Sequence, residues 1–482
     1  MKKHTIFLAL IIFCITLFSG CSCNGQASET KYAMNLSYAD GVISGVMDLT
    51  YKHSGEEPFS ALKFNLPAKA FNKNNHEKAV AKQYENKAYY DGVNYGDTQV
   101  LAVKSGDKPI EYTVDEKSMI LTVPLEKELF KGESVSLSIE FSTTLAKVNH
   151  RLGVTQKTVN LADFYPSLCA VQDGAFYQTP YEPIGDPFFF DVADFDVSIT
   201  FPQDYVIAGS GKILSSTALN GKRTNRYKIS SARSVAFVLS KDFDVLTEKV
   251  DGVILNYYFY GERDNKTCLQ TAKKAINYFT ETFGVYPYDT LSVVETPFIQ
   301  GGMEYSGLVY ISDELEPSAF NEVIAHEIAH QWWYGGVGNN QNTYACLDEG
   351  LAEYSVLLFY ENHAEYGFTR EQLISSSIST YRAFCTVYDR LLGKSDTSML
   401  RPLSEYSSEY EYVNINYVKP CIMLDEVRSL TGDKKFFSTL KNFYSKYYLK
   451  TATPYDLAGA FESFGGVTGG LFESYYDGKV VI

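Results

Sequence analysis

The sequence lacks several features that would assign it to well-known classes. Basic residues are outnumbered, with 43 Lys and Arg against 58 Asp and Glu and a net charge of −15, so the basic surface that a nucleic-acid-binding protein needs is missing. The eight cysteines include no C-x-x-C pair, which argues against a disulfide framework and favours buried thiols. With 34 Gly and 15 Pro in 482 residues, a fibrous protein is excluded.

Apolar runs long enough to span a bilayer are also missing. What the chain does have is a large supply of core residues, since 45% are apolar and 15% aromatic, with 38 Tyr and 31 Phe. Such a composition excludes long disorder as the main state and favours β-rich packing. At roughly 100–200 residues per domain, the length allows two to four domains.

The N-terminus has the pattern of a targeting signal. Lys2 and Lys3 precede a nearly continuous apolar run over residues 6–18. This run is too short to cross a hydrocarbon core of about 30 Å, and it is typical of the apolar part of a signal peptide. We therefore expect the mature protein to be exported.

Small residues before a cysteine, Ser19-Gly20-Cys21, are similar to a bacterial lipobox. The pattern predicts a signal peptide at residues 1–20, a lipidated Cys21 and a small polar tether at residues 21–30. The protein would then be extracytoplasmic and anchored to the cell membrane as a bacterial lipoprotein. A plain secretory signal with an incidental cysteine is the alternative.

The mature chain changes its periodicity near residue 250. Residues 31–250 contain segments that alternate apolar and polar side chains, such as residues 134–141 and 195–201, separated by turn signals. This period of two predicts an all-β N-terminal domain.

From residue 251 to 482 the period is helical, and we predict a second, mainly α domain with a small sheet. An apolar face recurs over residues 268–283 and ends at Gly284, and two short strands are expected at residues 291–295 and 308–311. Further helices are predicted at residues 318–334, 349–363, 369–384, 417–430 and 434–447.

One predicted helix carries an H-E-x-x-H motif, His326-Glu327-Ile328-Ala329-His330. Residues four apart lie on one helix face, so both imidazoles can bind one Zn²⁺ ion. Glu327 lies about 100° round the helix from His326, where it can act as a general base beside the metal. A surface helix with a chance pair of histidines is the alternative.

Zinc also needs a third protein ligand in a catalytic site. Glu349 follows His330 after 18 intervening residues and opens the next predicted helix. This spacing suits a helix end, a turn and an antiparallel helix start. We therefore predict that His326, His330 and Glu349 hold one Zn²⁺ per chain.

The H-E-x-x-H motif followed by this glutamate resembles the gluzincin aminopeptidases, the family of aminopeptidase N and leukotriene A hydrolase. Two other family motifs occur in the same order, G-x-M-E-N as GGMEY at residues 301–305 and Y-x-K-G as YVKP at residues 417–420. The resemblance implies a multi-domain fold, in which an N-terminal all-β saddle-like domain precedes a thermolysin-like catalytic domain. The large C-terminal helical domain common in the family is expected to be absent.

The resemblance also implies roles for individual residues. Glu304 would bind the free α-amine of a peptide, and Gly301, Gly302 and Met303 would contribute to substrate binding. Tyr417 would stabilise the oxyanion, and Glu327 would be the base. No residue of the N-terminal domain matches the one that helps the family to bind the amine.

Several of these roles have alternative candidates in the sequence. Tyr406, Tyr410 and Tyr412 lie near Tyr417 in the sequence and could replace it. Glu322 and Glu353 are spaced along the helices so that either could orient a ligand histidine, although a solvated helix face is an equally good interpretation.

Taken together, these patterns predict a zinc aminopeptidase that hydrolyses the N-terminal peptide bond of extracellular peptides with zinc-activated water. A less restricted, endopeptidase-like zinc peptidase and a non-catalytic surface binding module that retains the zinc site are the alternatives. Epoxide hydrolysis, known from one branch of the family, has no specific support in the sequence.

Overall fold

The computed structural model describes residues 29–393, 396–462 and 468–479. The predicted signal peptide and the lipobox Cys21 lie outside the described residues, as does most of the tether. Among the described helices, none combines the length and apolar composition that crossing a bilayer requires. The five cysteines of the described residues are buried and form no disulfide with one another, as the sequence predicts.

The first half of the chain is built of strands, which confirms the predicted all-β region. Its elements are β1 (Lys31–Ala39), β2 (Val42–Lys52), β3 (Phe59–Asn65), α1 (Glu85–Ala88), β4 (Asp97–Ser105), β5 (Lys108–Pro109), β6 (Thr113–Asp115), β7 (Ile120–Leu129), β8 (Ser134–Thr144), β9 (Leu152–Val154), β10 (Val159–Ala162), β11 (Ser167–Leu168), β12 (Val171–Gln172), β13 (Ala175–Phe176), β14 (Ala193–Pro202), β15 (Val206–Gly209), β16 (Lys212–Leu219), β17 (Lys222–Ala232) and β18 (Ala236–Ser240).

The second half is mainly helical, with one small sheet, as predicted. Its elements are β19 (Asp244–Val250), β20 (Val253–Phe259), α2 (Asn265–Phe283), β21 (Thr290–Thr296), β22 (Gly302–Tyr305), β23 (Leu308–Ser312), α3 (Pro317–Ala329), β24 (Val337–Gly338), α4 (Gln341–Asn362), α5 (Arg370–Leu392), α6 (Glu409–Val413), α7 (Lys419–Thr431), α8 (Asp433–Tyr447), β25 (Lys450–Thr451), α9 (Pro454–Glu462) and α10 (Leu471–Tyr476).

An eight-stranded sheet dominates the β-rich half, in the order β16-β17-β14-β1-β2-β8-β4-β5. Strand β1, which comes first along the chain, runs parallel to β14 and antiparallel to β2. Every second residue of β14 is buried, which is the alternation expected of a strand with one face in the core. Two four-stranded sheets and the two-stranded sheet β12-β13 also belong to the described part of this half.

A five-stranded sheet, in the order β19-β20-β21-β23-β22, carries the helices of the second half. Strands β20, β21 and β23 are parallel, and β22 forms the edge by pairing antiparallel with β23. The predicted domain boundary at residues 250/251 falls at the turn between β19 and β20, which pair with each other. The domain limits themselves remain a prediction.

Helix ends differ from the sequence prediction at three places. Helix α3 ends at Ala329, five residues earlier than predicted. In the segment that follows, Tyr334 adopts a φ of 145°, a left-handed conformation that is strained for a non-glycine residue. Helix α4 begins at Gln341 and has non-helical angles at Tyr344. A π-helical turn, Asn414–Val418, precedes α7.

One buried guanidinium joins three distant segments. Arg233, between β17 and β18, donates hydrogen bonds to the backbone carbonyls of Phe190 at 2.9 Å, Tyr334 at 2.6 Å and Lys450 at 2.9 Å. The guanidinium also lies directly against Gly338, where a Cβ atom would collide with it. The β-rich half is thereby bonded to the segment that follows the H-E-x-x-H helix and to the C-terminal region.

Candidate metal centre and substrate cavity

Two helices bring the three predicted metal ligands together. His326 lies in the last turn of α3 and His330 caps its end, while Glu349 lies in α4. The Nε2 atoms of the histidines are 3.1 Å apart, and Glu349 Oε2 lies 3.3 Å from His326 Nε2 and 3.2 Å from His330 Nε2. Ligands at about 2.0–2.1 Å from a tetrahedral zinc are separated by roughly 3.3 Å, so the donor set fits Zn²⁺.

Each ligand is held by a further contact. The Nδ1–H group of His330 donates to the backbone carbonyl of Trp333 at 3.0 Å, which leaves Nε2 as the ligand atom. Glu353 Oε2 lies 3.4 Å from His326 Nδ1. The sequence indicated Glu353 as a possible partner, whereas the role of the Trp333 carbonyl depends on the early end of α3 and carries no sequence signal.

Tyr417 is placed beside the metal ligands, and its rivals are placed less favourably. Its hydroxyl donates to Glu349 Oε1 at 2.6 Å, and its ring stacks on His326 with centroids 5.6 Å apart. Tyr412 lines the cavity that opens beside the metal ligands. Tyr406 donates a hydrogen bond to Asn416 at 3.1 Å, and Tyr410 is 47% exposed. Of these four tyrosines, Tyr417 alone has a hydrogen bond to a predicted metal ligand among the described residues.

The predicted base and amine-binding residue lie together beside the metal. The carboxylates of Glu304 and Glu327 and a ring nitrogen of His330 are all within 4.8 Å of one another, and all three residues are buried. Burial raises the pKa of Glu327 to about 7, although the adjacent His326 and His330 act to lower it. A carboxylate with a pKa near neutral can both accept and return a proton.

Glu304 is anchored by an amide. Gln341 Nε2 donates to Glu304 Oε1 at 2.7 Å and to Asp348 Oδ2 at 2.8 Å, and Asn339 Nδ2 donates to Asp348 Oδ1 at 2.8 Å. Burial raises the pKa of Glu304 well above its usual value, and nearby carboxylates, including Asp186, raise it further. The ionised form of Glu304 is therefore disfavoured in the free protein, and a substrate ammonium group would stabilise it.

Residues 302–305 of the predicted motif form the edge strand β22, and Gly301 directly precedes it. Gly301 and Gly302 line the cavity, and an edge strand offers unpaired backbone groups to an extended peptide. Met303 is placed elsewhere, because its side chain lies in an apolar cluster with Phe298 and Tyr310. Of the three predicted substrate-binding residues Gly301, Gly302 and Met303, the structure therefore brings only the two glycines to the cavity.

A cavity of about 250 Å³ opens beside His326, Glu327 and Tyr417. Its walls come from α3 and α4, from residues 300–302, from the region of α6, and from Gly185 and Asp186 in the β-rich half. The cavity therefore lies between the two halves of the chain.

Asp186 is a site residue that sequence reasoning missed. It accepts a hydrogen bond from the guanidinium of Arg151 at 2.9 Å, and burial raises its pKa. The only local sequence signal was a Gly-Asp-Pro turn, which does not indicate a binding role. Among the described residues, Asp186 is the carboxylate that the β-rich half contributes to this cavity.

Comparison with known proteins finds similarity to M1 peptidases. Residues 267–471 match the family model described as the Peptidase family M1 domain. Aminopeptidase M1-D of Oryza sativa subsp. japonica is 24% identical over 386 residues, which are 75% of this chain and 42% of that protein. Aminopeptidase N of Haemonchus contortus is 22% identical over 395 residues, which are 76% of this chain and 39% of that protein. This chain therefore spans less than half the length of these relatives.

Solved structures show the same fold over most of the chain. An M1 zinc metallopeptidase from Deinococcus radiodurans superposes with a TM-score of 0.63 at 17% identity, covering 94% of this chain and 95% of that one. Unlike the sequence relatives, this protein is matched over nearly its whole length. The two-part architecture predicted from the sequence is thereby confirmed.

Proposed function

We propose that this chain, whose residues 267–471 match the Peptidase family M1 domain, is a zinc aminopeptidase that removes the N-terminal residue of peptides. The observation that carries this proposal is the position of Glu304, whose buried carboxylate lies within 4.8 Å of Glu327 and His330. An ammonium group held by Glu304 would place the first peptide bond, and no later one, next to the base and the metal ligands.

His326, His330 and Glu349 would hold the zinc ion, which supplies a Lewis acid that polarises the carbonyl and makes water more acidic. Glu327 accepts the proton of the attacking water. Its Oε2 atom is buried and has no hydrogen-bond partner among the described residues, so it is available for this transfer. The same carboxyl group then gives the proton to the departing amine.

Tyr417 stabilises the charge that develops on the substrate carbonyl oxygen. Its hydroxyl is a donor beside the ligand Glu349, and it can turn its hydrogen bond toward the oxyanion as that oxygen becomes negative. Ring stacking on His326 holds the phenol in place.

We also propose that the protein works outside the cytoplasm, anchored to the membrane through a lipid on Cys21. The signal-like residues 1–20 and the lipobox-like Ser19-Gly20-Cys21 support this proposal. Labelling cells with a radioactive fatty acid tests it, because wild type would incorporate label and Cys21→Ser would not. Release of an unlabelled wild-type protein into the medium would favour the plain secretory signal.

The aminopeptidase proposal is tested with a panel of amino-acid amide reporters and with peptides that have free or acetylated N-termini. We expect turnover of free peptides alone, near-complete loss of activity in Glu327→Gln with zinc still bound, and about 100-fold lower kcat/KM in Glu304→Gln. Equal rates on free and acetylated peptides would establish an endopeptidase. No turnover by zinc-loaded wild type would leave the binding module as the better interpretation.

A further inference from the structure

The cavity beside the metal ligands is lined by five carboxylates. These are Asp186, Glu322, Glu327, Glu353 and Glu409, and within the described parts of the chain no Lys or Arg side chain lines it. Glu327 is the proposed base, and its unpartnered Oε2 atom is buried at this site. The remaining acids surround the path that a bound peptide must take.

Two of these acids lie on the side of the metal site away from Glu304. Glu353 Oε2 lies 3.4 Å from His326 Nδ1, and Glu322 precedes His326 by one helical turn on α3. Glu304 instead groups with His330. If Glu304 holds the amino terminus, the residue after the cleaved bond extends toward His326, and its side chain meets Glu322 and Glu353.

A second cavity, of about 190 Å³, shares Glu322 and Glu353 as walls. Its other walls combine apolar side chains, including Leu357 and Val418, with hydroxyl groups such as that of Ser377, and again no Lys or Arg lines it in the described chain. This surface could pack against an aliphatic stem while leaving a charged end near the carboxylates.

Glu322 has no hydrogen-bond or ion-pair partner in the described parts of the chain, although the nearby His326 attracts its carboxylate. In this it differs from Asp186, which pairs with Arg151, and from Glu353, which contacts His326. An exposed carboxylate that lines two cavities together with another carboxylate gains from a cation, because opposite charges attract.

We infer that the preferred substrates carry a basic residue, Lys or Arg, in the second position, directly after the bond that is cut, and that Glu322 selects it. This inference rests on the proposed aminopeptidase function and adds the class of peptide. The cation lies near Glu322 and Glu353, and the stem lies against the apolar wall of the second cavity.

The test uses two tripeptides that share a first residue, the one best accepted in the amide panel, and that differ only in having Lys or Met second. Lys and Met have stems of similar shape, so the ratio of their kcat/KM values measures the contribution of the charge. We expect wild type to favour the Lys peptide about 5-fold, in line with an exposed charge pair. In Glu322→Gln the ratio should fall to roughly 1–2.

Glu316→Gln is the matched control, because Glu316 is exposed at the start of the same helix and the substitution removes the same charge. It should retain the wild-type ratio. A wild-type ratio near 1, or an equal fall in both variants, would overturn the inference while the aminopeptidase proposal stood. If zinc-loaded wild type released no first residue from either peptide, the proposed function would fail and the inference with it.

Discussion

Gly302 lies directly against the side chain of Glu327. A Cβ atom added to Gly302 would stand 2.6 Å from both Cγ and Cδ of Glu327, whereas one added to Gly301 would stand 3.5 Å from Val323, an ordinary contact. The absence of a side chain at position 302 therefore determines where the proposed base can lie. This role differs from the contribution to substrate binding that the family resemblance implies for Gly302.

Gly302→Ala should displace the Glu327 carboxylate, and small displacements of catalytic groups can reduce rates about 100-fold. We expect kcat to fall by about that factor with zinc content unchanged. Gly301→Ala is the comparison, and its effect should be smaller and expressed in KM, because its added methyl group enters the cavity without touching the base. Equal losses of kcat in the two variants would contradict this explanation.

Tyr417→Phe should remove the oxyanion donor and retain the ring that stacks on His326. We expect kcat to fall about 100-fold or more, with zinc content and KM little changed, as found when a single donor to an oxyanion is deleted. Tyr412→Phe tests the rival tyrosine under the same conditions. A larger loss of kcat in Tyr412→Phe than in Tyr417→Phe would reverse the assignment.

Glu353→Gln should weaken zinc binding, because the carboxylate near His326 Nδ1 orients the ligand ring. Partners of this kind typically contribute 10–100-fold in metal affinity, and competition with a chelator of known affinity measures the change. Glu322→Gln, on the same face but without a contact to the ring, serves as the control and should retain wild-type affinity. Identical affinities in all three proteins would show that Glu353 does not position the histidine.

Lys419 should make unfolding depend on pH in the alkaline range. Burial lowers its pKa to about 8 from 10.5, and its ammonium donates to the carbonyls of Thr397 and Tyr475. Between these two pKa values the unfolded chain binds more protons than the folded one, so this residue's contribution to stability rises with pH and is lost as pH falls through 8. The difference amounts to about 3 kcal/mol.

Urea unfolding of wild type and Lys419→Met at pH 7, 8, 9 and 10 measures this effect. The wild-type midpoint should rise relative to that of the variant between pH 8 and 10, because groups common to both proteins cancel in the comparison. Parallel pH profiles would show that the lysine keeps its charge in the fold at all these values.

Local patterns were sufficient to predict much of the architecture. The apolar face of α2 and the alternation in β14 both follow from side-chain periodicity, since each element buries one face. The pair His326 and His330 could be placed because a helix fixes the distance between residues four apart. Glu349 required only that the next helix return beside the first.

Contacts between distant segments could not be derived in this way. Asp186 reaches the cavity from a loop more than 100 residues before the H-E-x-x-H helix, and the contact between Gly302 and Glu327 depends on how β22 packs against α3. The π-helical turn before α7 is followed by Pro420, which lacks the N–H group that would continue the regular bonding pattern. The hydrogen bond from Tyr417 to Glu349 joins residues 68 positions apart, so it could not be derived from this local signal.

The three hydrogen bonds from Arg233 to backbone carbonyls have a consequence for how this protein unfolds and loses activity. Two of them attach the β-rich half to the carbonyl of Tyr334, four residues beyond His330, and to the carbonyl of Lys450. Heat or a protease that loosens the N-terminal sheets would therefore also disturb the end of the ligand-bearing helix. Inactivation and metal release are thus expected to coincide with the first melting event, instead of following the separate collapse of a catalytic half.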